Sequence, residues 1–483
     1  MDYLVRNWTF VAFAGLLCLI NLFLMSDVAL IWAGAETQIV ERAQAGEAGL
    51  ILVDLARITG AADKLSGFGL RLPSIIWLVL AMVVFYVLGK RLFGKNTILH
   101  GLLVLMSTFG LSTLGHFGSG DAWLLGIHFI GILGVIAFLK KPSVAYRLLV
   151  YVAMLLSIWL DPVSSLLLWI LFPVALVFIH PQGRRLVQLH PWFFAAISVL
   201  ALYLTDGLNW LAPGQYLGWG RTAWWVFALG ALLSTLPFLG FFGAGLWDSI
   251  QKARKREEWS ILVLSWIIIC LLVQSPAVLG GIALLTGKHL SDYFRNNYPH
   301  GNIVKTIMLL HLVGFFFVAT LLMLGGFFEF RGTGFRSGMA FSAVYWMLSF
   351  AAVIGLYGFN RRFVLGGMAL AGLLATSLFW LQLFPLWEGR RVARVVVDQL
   401  DRVGTNRTDV LVDTTMLKGP SSLPLYLKKA GKNPVTDAGE SLPELIIGGL
   451  DYPTHRSQQD TFKVITDRLL PAQIIISYGP GSQ

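Results

Sequence analysis

The chain has 483 residues, is 56% hydrophobic and has a mean hydropathy of +0.70. That composition excludes a soluble globular domain and defines a polytopic membrane protein. The net charge of +11 does not point to nucleic acid, because no stretch interleaves basic and aromatic residues as a nucleic-acid groove requires. Lys and Arg collecting in cytoplasmic loops account for it.

The apolar runs are about 20 residues long and continuous, which predicts helices and not the alternating strands of a barrel. In chain order the predicted spans are 8–33, 72–93, 97–117, 121–139, 146–160, 163–180, 191–210, 223–247, 259–277, 303–327, 337–357 and 362–385, which makes twelve. The first run, Trp8 to Trp32, is too long for the h-region of an ordinary signal peptide, although Ala33-Gly34-Ala35 offers small residues for cleavage. Cys18 and Cys270 both lie inside apolar runs, which excludes a disulfide framework and a cysteine zinc site.

Four basic loops, 89–95, 140–147, 180–185 and 251–258, each follow an even-numbered span and so share one side, read as cytoplasmic. The loops 34–71, 118–120, 161–162, 211–222 and 278–302 then face outward. Residues 34–71 carry charges among loosely helical apolar positions, which predicts one or two interfacial helices. Residues 278–302 start apolar and end as GKHLSDYFRNNYPHGN, which reads as a second interfacial segment and loop. Twelve spans place the tail in the cytoplasm, but the basic turn FNRRF (359–363) asks for the opposite, so a further crossing or re-entrant piece is expected within 259–302.

Beyond Trp387 the composition becomes soluble-like, dividing the chain into a transmembrane domain (1–387) and a small α/β domain (388–483). In the latter, 409–414 and 473–479 read as strands, and 390–403, 422–431 and 458–470 as helices. No internal repeat is present, which weakens a secondary transporter. A transporter or flippase also wants polar groups at mid-span, and only Gln274, His128 and His311 qualify.

Two carboxylates stand at the outward ends of spans. Glu36 follows span one, and read alone it fits a solvated charge on an amphipathic helix. Asp121 opens span four, where Ser119, Gly120 and Asp121 together fit an N-cap. His116 and Asp121 flank a glycine-rich turn and His128 lies on the face of Asp121, but a divalent metal needs three or four converging ligands. His100 and His311 fit satisfied bundle histidines, Asp161 fits the start of a turn before Pro162, and the tryptophans at span ends fit an aromatic belt.

Several motifs taken in order resemble the GT-C membrane glycosyltransferases, in the bacterial branch of the aminoarabinose transferase and the protein mannosyltransferases. They are Arg71-Leu72-Pro73-Ser74 and Leu88-Gly89-Lys90-Arg91-Leu92-Phe93-Gly94 bounding span two, SGDAWLLGIHFIGI (119–132) with its acid Asp121, and the return between spans five and six (157–185). The resemblance covers roughly residues 1–280. It implies a GT-C-type bundle of about 12–13 transmembrane helices. It also implies interfacial helices, a polyprenyl-phosphate sugar donor, a cell-envelope glycan, lipid or protein acceptor, inversion at the anomeric carbon, and a bacterial inner-membrane location with the site facing the periplasm. The family's first acidic motif is Asp-Glu-Ala. Here Ala35-Glu36-Thr37 stands in its place, so Glu36 matches and the aspartate is missing; Glu41 matches a second frequent glutamate. By the resemblance Glu36 and Asp121 are the catalytic acids. Arg71, Lys288, Tyr293, Arg295 and His300 are candidates for the lipid phosphate, and Glu41, His116 and Asp161 for the acceptor side. The family often carries a Ser-Lys-x-x-x-Tyr element after span nine, and here only 287–293 approximates it. No cofactor is implied with certainty, and a divalent metal stays open. The two departures keep a second reading alive, an inactive GT-C-like scaffold within a larger membrane complex with partner subunits.

Overall fold

The computed structural model describes residues 2–24, 35–47, 51–64, 66–116, 118, 120–190, 199–200, 203, 223–294 and 298–383, and five strands beyond residue 408. The chain divides into two compact units. One comprises Met1–Leu24, Arg71–Phe316 and Ala343–Thr376; the other comprises Met25–Leu70, Phe317–Ser342 and Ser377–Gln483.

The first unit is a helical bundle built on apolar stretches that satisfy their own backbone polar groups, as lipid requires. Its elements begin with α1 (Asp2–Leu24). In the second unit follow the short α2 (Ala35–Gln44), α3 (Ile51–Ile58) and α4 (Ala61–Lys64). The bundle resumes with α5 (Gly67–Phe93), α6 (Lys95–Ser107), α7 (Phe109–Gly115), α8 (Gly120–Lys140), α9 (Val144–Leu160) and α10 (Pro162–Ile179). After the expected span 191–210, which lies almost wholly outside the described residues, come α11 (Trp224–Leu233), α12 (Leu239–Arg254), α13 (Glu258–Leu272) and α14 (Val278–Tyr293). The series ends with α15 (Gly301–Tyr357) and α16 (Arg361–Leu378). Among the described residues, six helical segments are long and apolar enough to cross a membrane, or seven if the pair α6 and α7, bent by 61°, is one broken span. Cys18 and Cys270 are free and buried.

The basic loops meet at one end of this unit. Lys140 donates to the Leu92 carbonyl, Arg185 to the Leu139 carbonyl at 3.1 Å, and Gln182 to Glu258 at 3.5 Å. Arg361 contacts His100 at 2.9 Å. Because α8 runs its 21 residues from Gly120 to Lys140, the opposite end is about 30 Å away.

Residues 278–302 depart from the interfacial expectation. Val278–Tyr293 is a helix buried over nearly its whole length. It turns back from α13 through residues 273–277 and lies against α6. The reason is small side chains: a Cβ on Gly287 would stand 2.3 Å from the Gly101 nitrogen, so only glycine allows the two backbones this close. The helix finishes at the basic end, where His289 meets Tyr298 and the Tyr293 hydroxyl donates to the Leu356 carbonyl at 3.1 Å. The chain thus returns to the basic end within 259–302, the stretch where a further crossing or re-entrant piece was expected.

The 57 residues of α15 are helical throughout but are not one rod. Phe315 packs on Tyr345 at 4.1 Å between ring centroids, and the Tyr345 hydroxyl meets His311 Nε2 at 3.0 Å. Thirty residues apart in a straight helix would be about 45 Å apart. The helix therefore folds back as two arms, Gly301–Phe327 and Gly334–Tyr357. These correspond to the two separate spans expected there. From its second arm the chain passes through Phe359 at the basic end into α16.

In the second unit, α2 and α4 are tied by Gln44 Nε2 donating to the Ala62 carbonyl at 2.9 Å. The tail carries β1 (Asp409–Val412), β2 (Asn433–Val435), β3 (Leu445–Gly448), β4 (Phe462–Ile465) and β5 (Gln473–Tyr478) in the order β2-β1-β3-β5-β4. β1 is parallel to β2 and β3, and β5 is antiparallel to β3 and β4. Strands were expected at 409–414 and 473–479. The helix expected over 458–470 is corrected: Phe462–Ile465 pairs with β5, so an aromatic and β-branched tetrapeptide finds its partner in a ladder. The helices expected over 390–403 and 422–431 lie outside the described residues.

The α6–α14 contact yields a direct test. Gly287→Val places side-chain atoms on the Gly101 backbone and should cost about 1–3 kcal/mol, read as a lowered thermal midpoint in detergent. Gly314→Ala, where a Cβ meets nothing within 4 Å, should leave the midpoint nearly unchanged.

Candidate functional site

At the end opposite the basic loops, the starts of α5, α8 and α10 and the end of α7 bring polar residues into an apolar bundle. Arg71 is fully buried in the first turns of α5. His116 caps α7 and is 1% exposed, with Nδ1 2.7 Å from the Ser112 carbonyl. Ser112 in turn donates to Asn21 of α1 at 2.7 Å. A buried cation and a buried imidazole thus stand at this end, beside the ends of α1, α5 and α7.

Asp121 sits in the first turn of α8, half-buried, where the helix dipole favours a carboxylate. Its position is held by a pair of indoles. Trp77 and Trp123 stack at 5.2 Å with their planes 9° apart. Trp77 Nε1 donates to the Trp123 carbonyl at 3.1 Å, and Trp123 Nε1 to Ser74 Oγ at 3.2 Å. Span-end tryptophans predicted only an aromatic belt; here one of them, Trp123, joins with Trp77 to lock α5 to α8. The stack needs Gly126, since a Cβ there would lie 2.3 Å from Trp77 Nε1.

Asp161 works as a helix cap. Its carboxylate accepts from the Ser164 backbone N–H at 3.4 Å and from the Ser164 hydroxyl. His128 bridges two serines, with Nδ1 2.8 Å from Ser275 Oγ and Nε2 2.9 Å from Ser165 Oγ, so both ring nitrogens are engaged without a metal. Among the described residues no three His, Cys, Asp or Glu side chains converge as a metal centre. The serines 165 and 275 were not singled out by sequence; a histidine in an apolar run was the signal that partners must exist.

Glu36 and Glu41 belong to the second unit. Glu36 opens α2 and is only 1% exposed, which does not fit a solvated charge, whereas Glu41 is exposed.

The residues expected to hold a lipid phosphate are not gathered together. Arg71 is at the Asp121 end. Lys288, Tyr293 and His300 are at the basic end, to which α14 returns. Lys288 lies over the Trp259 ring at 3.8 Å, and His300 Nε2 meets Asp248 Oδ1 at 3.0 Å. Asp248 also accepts from Lys252 at 2.6 Å. Arg295 lies outside the described residues.

The architecture, a helical bundle followed by a small tail domain, is a GT-C-type fold. In particular it is similar to the crystal structure of ArnT from Cupriavidus metallidurans bound to undecaprenyl phosphate, with a TM-score of 0.67 and 15% identity over 98% of this chain and 99% of that one. The apo structure of the same protein gives a TM-score of 0.66 at 15% identity, over 99% and 98% of the two chains. No family model matches the sequence, and no curated protein matches it either.

The indole lock can be tested by substitution. Gly126→Val should displace Trp77 from Trp123, removing the coupled-indole signal from the near-ultraviolet circular dichroism and costing about 1–3 kcal/mol. A retained signal would contradict the packing described.

Proposed function

We propose that the chain is a membrane glycosyltransferase that moves a sugar from a polyprenyl-phosphate donor to an extracytoplasmic glycan, lipid or protein acceptor, with inversion. The observation that carries this reading is the whole-length likeness of fold to ArnT captured with undecaprenyl phosphate. The burial of Glu36 in the segment matching the family's first acidic motif supports it.

In this reading Glu36 or Asp121 takes the proton of the acceptor hydroxyl. The acceptor oxygen forms a bond to the anomeric carbon from the face opposite the phosphate. The bond from that carbon to the phosphate oxygen breaks, and the lipid phosphate leaves with the electron pair. The charge of Arg71, buried at the Asp121 end, offsets the growing charge in this reading. Lys288 and His300 have no part in it, and the lipid tail explains why the chemistry belongs at a membrane face.

The positive-inside tendency makes the basic end cytoplasmic. Arg71, His116 and Asp121 then face the other compartment, the periplasm of a bacterial inner membrane. The chain enters α16 at the basic end, so the tail domain, residues 388–483, falls on the periplasmic side. A reporter enzyme active only in the periplasm should be active when fused after residue 483 and inactive when inserted at Asn360.

One observation favours a second reading, an inactive scaffold. Ala35 puts a methyl group where the family has an acid, leaving Glu36 as the sole carboxylate of the first turn of α2. A stoichiometric membrane partner, with no bound prenyl lipid and no transfer activity, would support it.

Glu36→Gln and Asp121→Asn should each lower transfer from undecaprenyl-phosphate-linked sugar by about 10²- to 10⁴-fold, measured in membranes with unchanged expression. Full activity in both variants would contradict the assignment.

A further inference from the structure

The turn between the second arm of α15 and α16 concentrates cations and aromatic rings at the basic end. Lys305 Nζ stands 5.2 Å from the centroid of Tyr357 and 4.8 Å from that of Phe359. Phe359 stacks on Tyr293 at 5.8 Å with planes 14° apart. It does so with φ of +48°, a left-handed conformation that a bulky side chain rarely adopts. Such strain persists only where neighbouring contacts impose it, and here they hold a ring beneath a lysine. The next residue, Asn360, accepts from the Arg362 backbone N–H at 3.1 Å, which directs Arg362 into the first turn of α16, where its side chain is exposed.

Charge and surface together select a ligand. Aromatic faces hold a cation without cancelling its charge. Among the described residues no carboxylate lies within ion-pairing distance of Lys305 or Arg362. The carboxylate of Asp248, at the same end, is engaged by Lys252 and His300. Around the cations, Tyr357, Phe359 and Phe363 are 55%, 64% and 54% exposed. The apolar surface continues along the helices through Ile354 and Leu310, both exposed. A free anion would use only the cations; a phospholipid would use both the cations and this apolar continuation.

We infer that Lys305 and Arg362, framed by Tyr357, Phe359 and Phe363, bind the phosphodiester head group of an anionic phospholipid in the leaflet at the basic end. Juxtamembrane cations on that leaflet attract anionic lipid by a charge term that a zwitterionic lipid lacks.

The test is native mass spectrometry of the full chain in uncharged detergent, titrated with dioleoyl phosphatidylglycerol or dioleoyl phosphatidylcholine. The wild type should reach half-occupancy at a roughly tenfold lower concentration of phosphatidylglycerol. Lys305→Gln combined with Arg362→Gln should abolish that preference. Lys141→Gln combined with Arg184→Gln, exposed positions on other basic loops, should keep it. The inference is overturned if the wild type shows no preference, if the Lys305 and Arg362 variant retains it, or if the Lys141 and Arg184 variant loses it equally. Displacement of phosphatidylglycerol by millimolar inorganic phosphate would also overturn it, as the mark of a free-anion site. Should the first variant fail to fold, hydrogen exchange on the wild type replaces it. Residues 357–363 should be protected in phosphatidylglycerol nanodiscs relative to phosphatidylcholine nanodiscs, and equal exchange in the two would refute the site.

Discussion

Gly287 against Gly101 is the contact on which the organisation of the bundle depends. With no side chain on either residue, α14 sinks between its neighbours and runs from the far end of α13 back to the basic end. A side chain at that point would separate the two backbones, and a helix bearing Lys288, His289 and Asp292 would have no reason to enter an apolar core. Because it does enter, the chain returns to the basic end before α15 begins. Every later element is thereby inverted relative to a twelve-span reading, including the arms of α15, the Phe359 turn and the start of α16.

That inversion separates two kinds of polar chemistry. The basic end holds exposed loops tied by Lys140, Arg185 and Arg361, together with the Asp248, Lys252 and His300 cluster. Among the described residues of this unit, the opposite end buries Arg71 and His116 in the bundle and carries Asp121 in the first turn of α8. The Trp77 and Trp123 stack keeps the helix starts that carry Arg71 and Asp121 in fixed register, so the apolar part of the structure positions the polar part.

Among the described residues, the spans expected at 72–93, 121–139, 163–180, 303–327, 337–357 and 362–385 were legible in the sequence because length and hydropathy suffice for helices in lipid, and the basic loops because charge stays out of it. The two arms of α15 were separable for the same reason, with the polar residues of 328–336 between them. The course of α14 was not legible from hydropathy, since a 16-residue helix that begins with glycines and ends in charges scores as an interfacial segment. Its signal was the spacing of Gly280, Gly281 and Gly287, which marks close helix packing and not solvent. The roles of His128, Ser165 and Ser275 depend on partners 37 and 147 residues from the histidine, and no local pattern reports such pairs. At 462–465 a helical pattern yielded to strand pairing, which is decided by the partner strand. Glu36 read as a solvated charge because its sequence neighbours are polar, yet the fold removes it from water.

The central claim is that the end carrying Arg71, His116 and Asp121 receives a polyprenyl phosphate. It is tested most directly by an electron cryomicroscopy map of the full chain with undecaprenyl phosphate. The account predicts density for the phosphate against Arg71, within reach of Asp121. Phosphate density at Lys288 and His300, or a map in which the lipid is absent at saturating concentration, would contradict it.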